Sequence, residues 1–275
     1  MWRLGVVEQL QDGGRLRIGT SVAQTCDLGE ISMTVDILAF GAHPDDAEIG
    51  CGGLLLKLKD RGYRTGIVYF TVGEMGSRGT PEIRRQELMA AAKVLGLDHV
   101  EVMDFQDCRV VDDFESRLKI ARTVRQQRPT IVLAPYWDGP PGRGVGHTDH
   151  QTAGYLVSHG VNFAHLGALP LEGEPHSVSN IFYYLFPRET PPSFVVDISD
   201  YIDQWVEVLK CHHSQFYNPE TEHYDFVDTL VAVARARGIS IGARYAQGFI
   251  ATEPLKVDDP FMLVTQRRRT PQYPT

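Results

Sequence analysis

Long apolar runs are missing from this chain, and so are paired cysteines and any surplus of positive charge. No window reaches the roughly 18 consecutive apolar residues that would mark a membrane-spanning helix, so no membrane partner is expected. The four cysteines, Cys26, Cys51, Cys108 and Cys211, are scattered with no C-x-x-C pair, which argues against a zinc ribbon and a disulfide framework. Cys51 and Cys211 lie in apolar or helical stretches and read as buried thiols, which suits a reducing compartment and a cytoplasmic location. Lysine and arginine total 27 against 35 acidic residues, a net charge of -8, which speaks against nucleic acid as a partner. The first 33 residues show neither the apolar core of a signal peptide nor a clear period. They read as an N-terminal extension without assigned chemistry, and residues 34–275 as a single domain. With 275 residues, 43% hydrophobic, the chain can bury a core without disulfide staples.

What is present is alternation. The apolar runs "TVDILAFGA", "TGIVYFTVG", "HVEVMDF" and "TIVLAPY" read as strands, and between them lie helical patterns. "DAEIGCGGLLLKLKDRG" spaces Ile49, Leu54, Leu55 and Leu58 along a helix stopping at Gly62. "TPEIRRQELMAAAKVLGL" has Thr80 as N-cap, Pro81 in the first turn and Gly96 as its end. "DDFESRLKIARTVRQQRP" is a helix closed by Pro129. Further on, "NIFYYLF" and "SFVVDIS" read as strands, "DYIDQWVEVLKCHHSQF" as one helix and "DTLVAVARARGIS" as another ending at Gly238. Strands alternating with helices imply an α/β fold, Rossmann-like, with a mainly parallel sheet covered by helices on both faces. Ligands of such sheets bind beyond the carboxyl ends of the strands. Three polar clusters fall there: "HPDD", "GEMGSRGT" and "WDGPPGRGVGHTDH".

An imidazole and a carboxylate suit a divalent ion of the zinc kind, and catalytic zinc takes three protein ligands and a water. His43 and Asp46 supply two. His147 and His150 in "HTDH" lie three apart, near one face of any helix starting at Thr148; one would bind metal and the other face the reacting group. Asp45 can take a proton from a metal-bound water, His147 can stabilise charge on a carbonyl oxygen, and Asp149 can orient a histidine. Each piece alone has a plainer reading. Asp46 could simply cap the following helix, and H-x-x-H arises by chance. A nucleotide-binding module is disfavoured, because His43 stands where a glycine-rich turn needs its second glycine and no P-loop lysine is present. Hydrolysis of another bond, such as a phosphoester, stays open.

"AHPDDAEIGCGG" with "HTDH", supported by "TVGEMGSRGTPEIRRQEL", "VEVLKCHHSQF" and "GARYAQGF", resembles the PIG-L/LmbE family of zinc-dependent de-N-acetylases over residues 36–249. The resemblance implies Zn2+ (Fe2+ or cobalt would accept the same donors) held by His43, Asp46 and His150. It implies Asp45 as general base, His147 as stabiliser of the tetrahedral intermediate with Asp149 as its partner, and Arg84 as a substrate contact. The usual "HPDDE" has Ala47 here in place of its glutamate, with Glu48 one place on. Removal of an N-acetyl group from an amino-sugar small molecule is expected, closest to the bacillithiol-type deacetylases of N-acetylglucosaminyl malate, and the assembly is expected to be a homo-oligomer, trimer or hexamer. Arg78 and Arg143 are candidates for malate carboxylates, though each also reads as a solvated surface arginine. Tyr245 reads as core packing, and His212 and His213 as hydrogen-bonded structural residues.

Overall fold

A strand buried on both faces must send alternate side chains into two separate cores, and the first strand does so. In the computed structural model, which describes residues 34–138 and 147–263, β1 (Ile37–Gly41) is buried along its whole length. Ile37 and Ala39 enter one core with Leu55, Leu88 and Trp205. Leu38 and Phe40 enter the other with Ile120 and Leu156. Its neighbours β2 (Thr65–Tyr69) and β4 (Ile131–Pro135) run parallel to it on either side, with Ile37 opposite both Thr65 and Ile131. β3 (His99–Val102) extends the parallel sheet beyond β2, and β5 (Asn180–Tyr184) extends it beyond β4.

Helices cover both faces, as the alternation of elements predicts. α1 (Asp46–Asp60), α2 (Pro81–Leu95), α5 (Ile202–Cys211) and α7 (Asp225–Ile241) pack on the first core. α3 (Phe114–Gln127) and α4 (Thr148–Ala164) pack on the second. The capping residues read from the sequence perform that role at α2. The Thr80 hydroxyl accepts the Ile83 N–H, Pro81 opens the helix, and Gly96 leaves it with φ 66°.

Three elements differ from the sequence reading. The helix expected through "HHSQF" breaks at His212 into α5 and a single turn, α6 (His213–Phe216), because the His212 ring is drawn into the core toward Glu48. α7 does not end at Gly238 but at Gly242, whose φ of 72° supplies the left-handed exit. Gly238 is instead a point of close approach, where a Cβ would lie 2.8 Å from the Ala243 carbonyl oxygen. The stretch "AQGFIA" is a strand, β7 (Ala246–Ala251), antiparallel between β5 and β6 (Phe194–Asp197). Its small residues and Gly248 hide the alternation by which a strand is recognised. The final order is β3-β2-β1-β4-β5-β7-β6, so the chain reverses its direction of winding between β1 and β4, where doubly wound sheets open a crevice. The expected extension over residues 1–33, the candidate Arg143 and the terminal "TQRRRTPQYPT" lie outside the described residues.

Candidate active site

The crevice begins where β1 ends. Ala42 is buried, and the next four residues turn sharply into α1. Asp45 sits at the N-cap with φ 119°, a conformation that side-chain-bearing residues avoid and that costs about 1–3 kcal/mol. Its carbonyl oxygen accepts the Ile49 N–H at 2.8 Å, so the strained residue is tied into the first helical turn. Asp46 is the first helical residue. Its Oδ2 accepts the His43 backbone N–H at 2.9 Å, which turns the carboxylate back over the strand end.

His150 comes to the same point from the first turn of α4. Its Nε2 lies 2.9 Å from Asp46 Oδ1 and 3.3 Å from His43 Nδ1, and His43 Nδ1 lies 3.7 Å from Asp46 Oδ2. Ligands about 2.0–2.2 Å from one tetrahedral ion stand roughly 3.3–3.6 Å from each other. The 3.3 Å separation lies in that range, and the 2.9 and 3.7 Å ones, to the two oxygens of Asp46, flank it, so two imidazoles and a carboxylate face a common point at which a divalent ion of the zinc kind would be held. Burial resists charge on both rings, but Asp107, Asp149 and Asp46 outweigh it at His43 and push its pKa up to about 10. Asp46 likewise outweighs burial at His150 and raises it. Asp46 itself is opposed by burial, yet His150 and His43 hold it well below the usual carboxylate range.

The other nitrogen of His43 explains the orientation of the ring. Nε2 lies 3.0 Å from Asp107 Oδ1 and 3.5 Å from Asp149 Oδ2. With the Nε2 proton directed to these carboxylates, Nδ1 faces inward, where it would give up its proton to bind a metal. Asp107 is fixed in turn: its Oδ2 accepts the Met75 N–H at 2.9 Å, and its own N–H donates to Glu74 Oε1 at 2.8 Å. The hydrogen bond to His43 holds Asp107 well below the usual range.

Asp149 departs from the partner role expected for it. Its carboxylate accepts the Cys108 N–H at 2.7 Å and faces His43. Only its backbone N–H meets His147, donating to Nδ1 at 3.2 Å. This follows from the helix start, because His147 is the N-cap of α4 and its ring closes the first turn. Burial and the neighbouring His43 and His150 lower the pKa of His147, which favours a neutral ring with its proton on Nε2.

Asp45 is pushed up to about 6 by burial and by the adjacent Asp46, against the opposing pull of His212 and Arg84. Arg84, in α2, is buried beneath the loop rather than projecting from it. Its guanidinium donates to the Pro44 and Gly73 carbonyl oxygens at 2.8 and 3.2 Å and lies 3.5 Å from Asp45. It braces the "HPDD" turn, although it also borders the cavity. Two features escape a reading of the sequence. Asp107 follows β3, whose loop carries no dense polar cluster; the rule that such loops converge on one rim is the signal that points to it. Glu48 and His212 form a fully buried pair at 2.9 Å, and Glu48 also accepts the Tyr69 hydroxyl at 2.7 Å.

The donors, Asp45, Asp107 and His147 line one cavity of about 660 Å³. Arg78 donates to the Tyr217 carbonyl oxygen and Tyr245 packs on the first core; neither borders that cavity. His213 is hydrogen-bonded to the Tyr224 hydroxyl at 2.7 Å. Among the described residues no helix is long and apolar enough to cross a membrane.

The sequence family described as PIG-L, GlcNAc-PI de-N-acetylase, matches residues 38–161. A diacetylchitobiose deacetylase of Thermococcus kodakarensis is 33% identical over 224 residues, 77% of this chain and 81% of that protein. The chain belongs to the PIG-L family. Within it, a Bacillus anthracis protein described as "Probable N-acetyl-alpha-D-glucosaminyl L-malate deacetylase 2" is 28% identical over 68% of this chain and 84% of its own. The crystal structure of a conserved Thermus thermophilus protein superposes with a TM-score of 0.73 at 39% identity, covering 82% of this chain and 97% of that one. The PIG-L match ends within α4 and so spans both motifs, "HPDD" and "HTDH".

Proposed function

We propose that this PIG-L protein removes the N-acetyl group from an N-acetylglucosamine-type small molecule, with a zinc ion held by His43, Asp46 and His150. The observation that carries the reading is the convergence of those three donors beside the buried, strained Asp45. Held by these residues, a zinc ion would supply Lewis acidity and would make water more acidic, with a pKa of about 7. Asp45 accepts the proton of the attacking water and returns it to the departing amine. His147, with its Nδ1 occupied by the Asp149 N–H, donates from Nε2 to the acetyl oxygen as negative charge gathers there. Asp107 and Asp149 hold the His43 ring in register, and Arg84 holds the turn that presents Asp45. The products are acetate and a free glucosamine amine.

The finer reading takes N-acetylglucosaminyl malate as substrate, supported by the similarity to the Bacillus anthracis protein; similarity to the chitobiose enzyme makes diacetylchitobiose the comparison substrate. It extends to a cytoplasmic homo-oligomer, trimer or hexamer, which sedimentation velocity would test. The decisive experiment is metal analysis of the purified protein beside a free-amine assay on both compounds. Asp45→Asn should keep its metal and lose at least about 10²-fold in turnover, and His150→Ala should lose the metal. Near-normal turnover by metal-bound Asp45→Asn would remove the base assignment, and absence of amine release from either compound would remove the function.

A further inference from the structure

The cavity does not stop at the metal-binding donors. It continues along an apolar wall built by Phe186 after β5, Phe216 of α6, and Leu230 and Val233 of α7. Arg237 of α7 stands on that wall, in a cavity that Arg188 and Glu189 also border. Its guanidinium lies 4.5 Å over the Phe186 ring. Its aliphatic stem crosses β7 where Gly248 leaves room, since a Cβ there would lie 3.4 Å from Arg237 Cδ and 3.3 Å from the Phe186 ring. The side chain is therefore held from two sides. No carboxylate of the described residues forms an ion pair with it, and burial alone pulls its pKa down.

A partly desolvated cation without a counter-charge is unfavourable unless something supplies one. The planar guanidinium matches a carboxylate in two parallel hydrogen bonds. A neutral disaccharide would leave this charge unanswered. We propose that Arg237 is a specificity-determining residue, receiving a carboxylate carried by the aglycone of the amino-sugar substrate, whose carbon skeleton lies along Phe186, Phe216, Leu230 and Val233. The inference rests on the deacetylase reading and adds to it the residue that receives the acid group of an anionic glycoside of N-acetylglucosamine.

Two isosteric probes separate it from a purely structural stacking role: 4-carboxyphenyl and 4-carbamoylphenyl N-acetylglucosaminide. The wild-type protein should prefer the carboxylate through a lower KM with similar kcat. Arg237→Met should raise the KM for the carboxylate by about 10- to 100-fold, the worth of a charge-assisted hydrogen bond, and bring it to that of the carboxamide. Arg237→Lys should restore part of the preference. Equal KM values for the two probes in the wild type, or an equal change for both in Arg237→Met, would overturn the assignment. If Arg237→Met does not fold, the wild-type preference and its reduction in Arg237→Lys decide. If the wild type releases amine from neither probe, the deacetylase reading is what fails. Calorimetric Kd values of the same probes then judge Arg237: tighter binding of the carboxylate sustains it, and equal binding ends it.

Discussion

Asp45 combines a left-handed backbone, burial and an adjacent carboxylate, three features that each disfavour its ionised form or its conformation. Its pKa is raised from 3.8 to about 6, so the folded state binds more protons than the unfolded chain between those values. Stability is thus lost as pH rises from about 4 to 6. In metal-free protein, Asp45→Asn should therefore stabilise the fold at pH 7, by on the order of 1–3 kcal/mol, and the gain should vanish near pH 4. Thermal melts across that range check it. Asp107 makes the opposite kind of contribution: its hydrogen bond to His43 holds its pKa well below the usual range and orients the ring. Asp107→Asn should weaken metal affinity by about 10- to 100-fold, measured by competition with a chelator. The contrast explains what is legible at this scale. "HPDD" and "HTDH" are readable because each packs several donors into four residues. Asp107 is a lone acid in "FQDCR", and only its place after β3 marks it.

Among the elements, α1 has the tightest fit. Gly50 faces β5, where a Cβ would lie 2.0 Å from the Tyr184 ring, and Tyr184 is fully buried with its hydroxyl bonded to the Phe40 carbonyl oxygen. The ring has nowhere to go, so Gly50→Ala should cost about 1–3 kcal/mol as an overpacked contact. Because α1 carries Asp46 in its first turn, metal affinity should fall with stability; denaturant titration and metal binding measure the two. Elements marked by caps are legible in the sequence, α2 above all. Those fixed by packing are not. Gly238 reads as a stop signal and is a contact, while His212 reads as helix and is a break, because both are decided by neighbours outside the local pattern.

Across the whole molecule, the parallel half follows from alternation in the sequence, whereas the antiparallel closure by β7 depends on pairing that no local pattern announces. The two halves are tied by the Glu48–His212 pair and by Trp205, whose indole donates to the Glu48 carbonyl oxygen at 2.7 Å. His212→Leu would leave the buried Glu48 carboxyl without its imidazole partner and should destabilise the protein by about 3–5 kcal/mol. His212→Leu combined with Glu48→Gln should recover part of that loss in chemical denaturation.

The cavity draws its reactive floor from loops after β1, β3 and β4 and its far wall from residues beyond β5. Such a division lets the downstream segments drift toward new molecules while the hydrolytic machinery upstream stays untouched, much as one tool handle takes interchangeable heads.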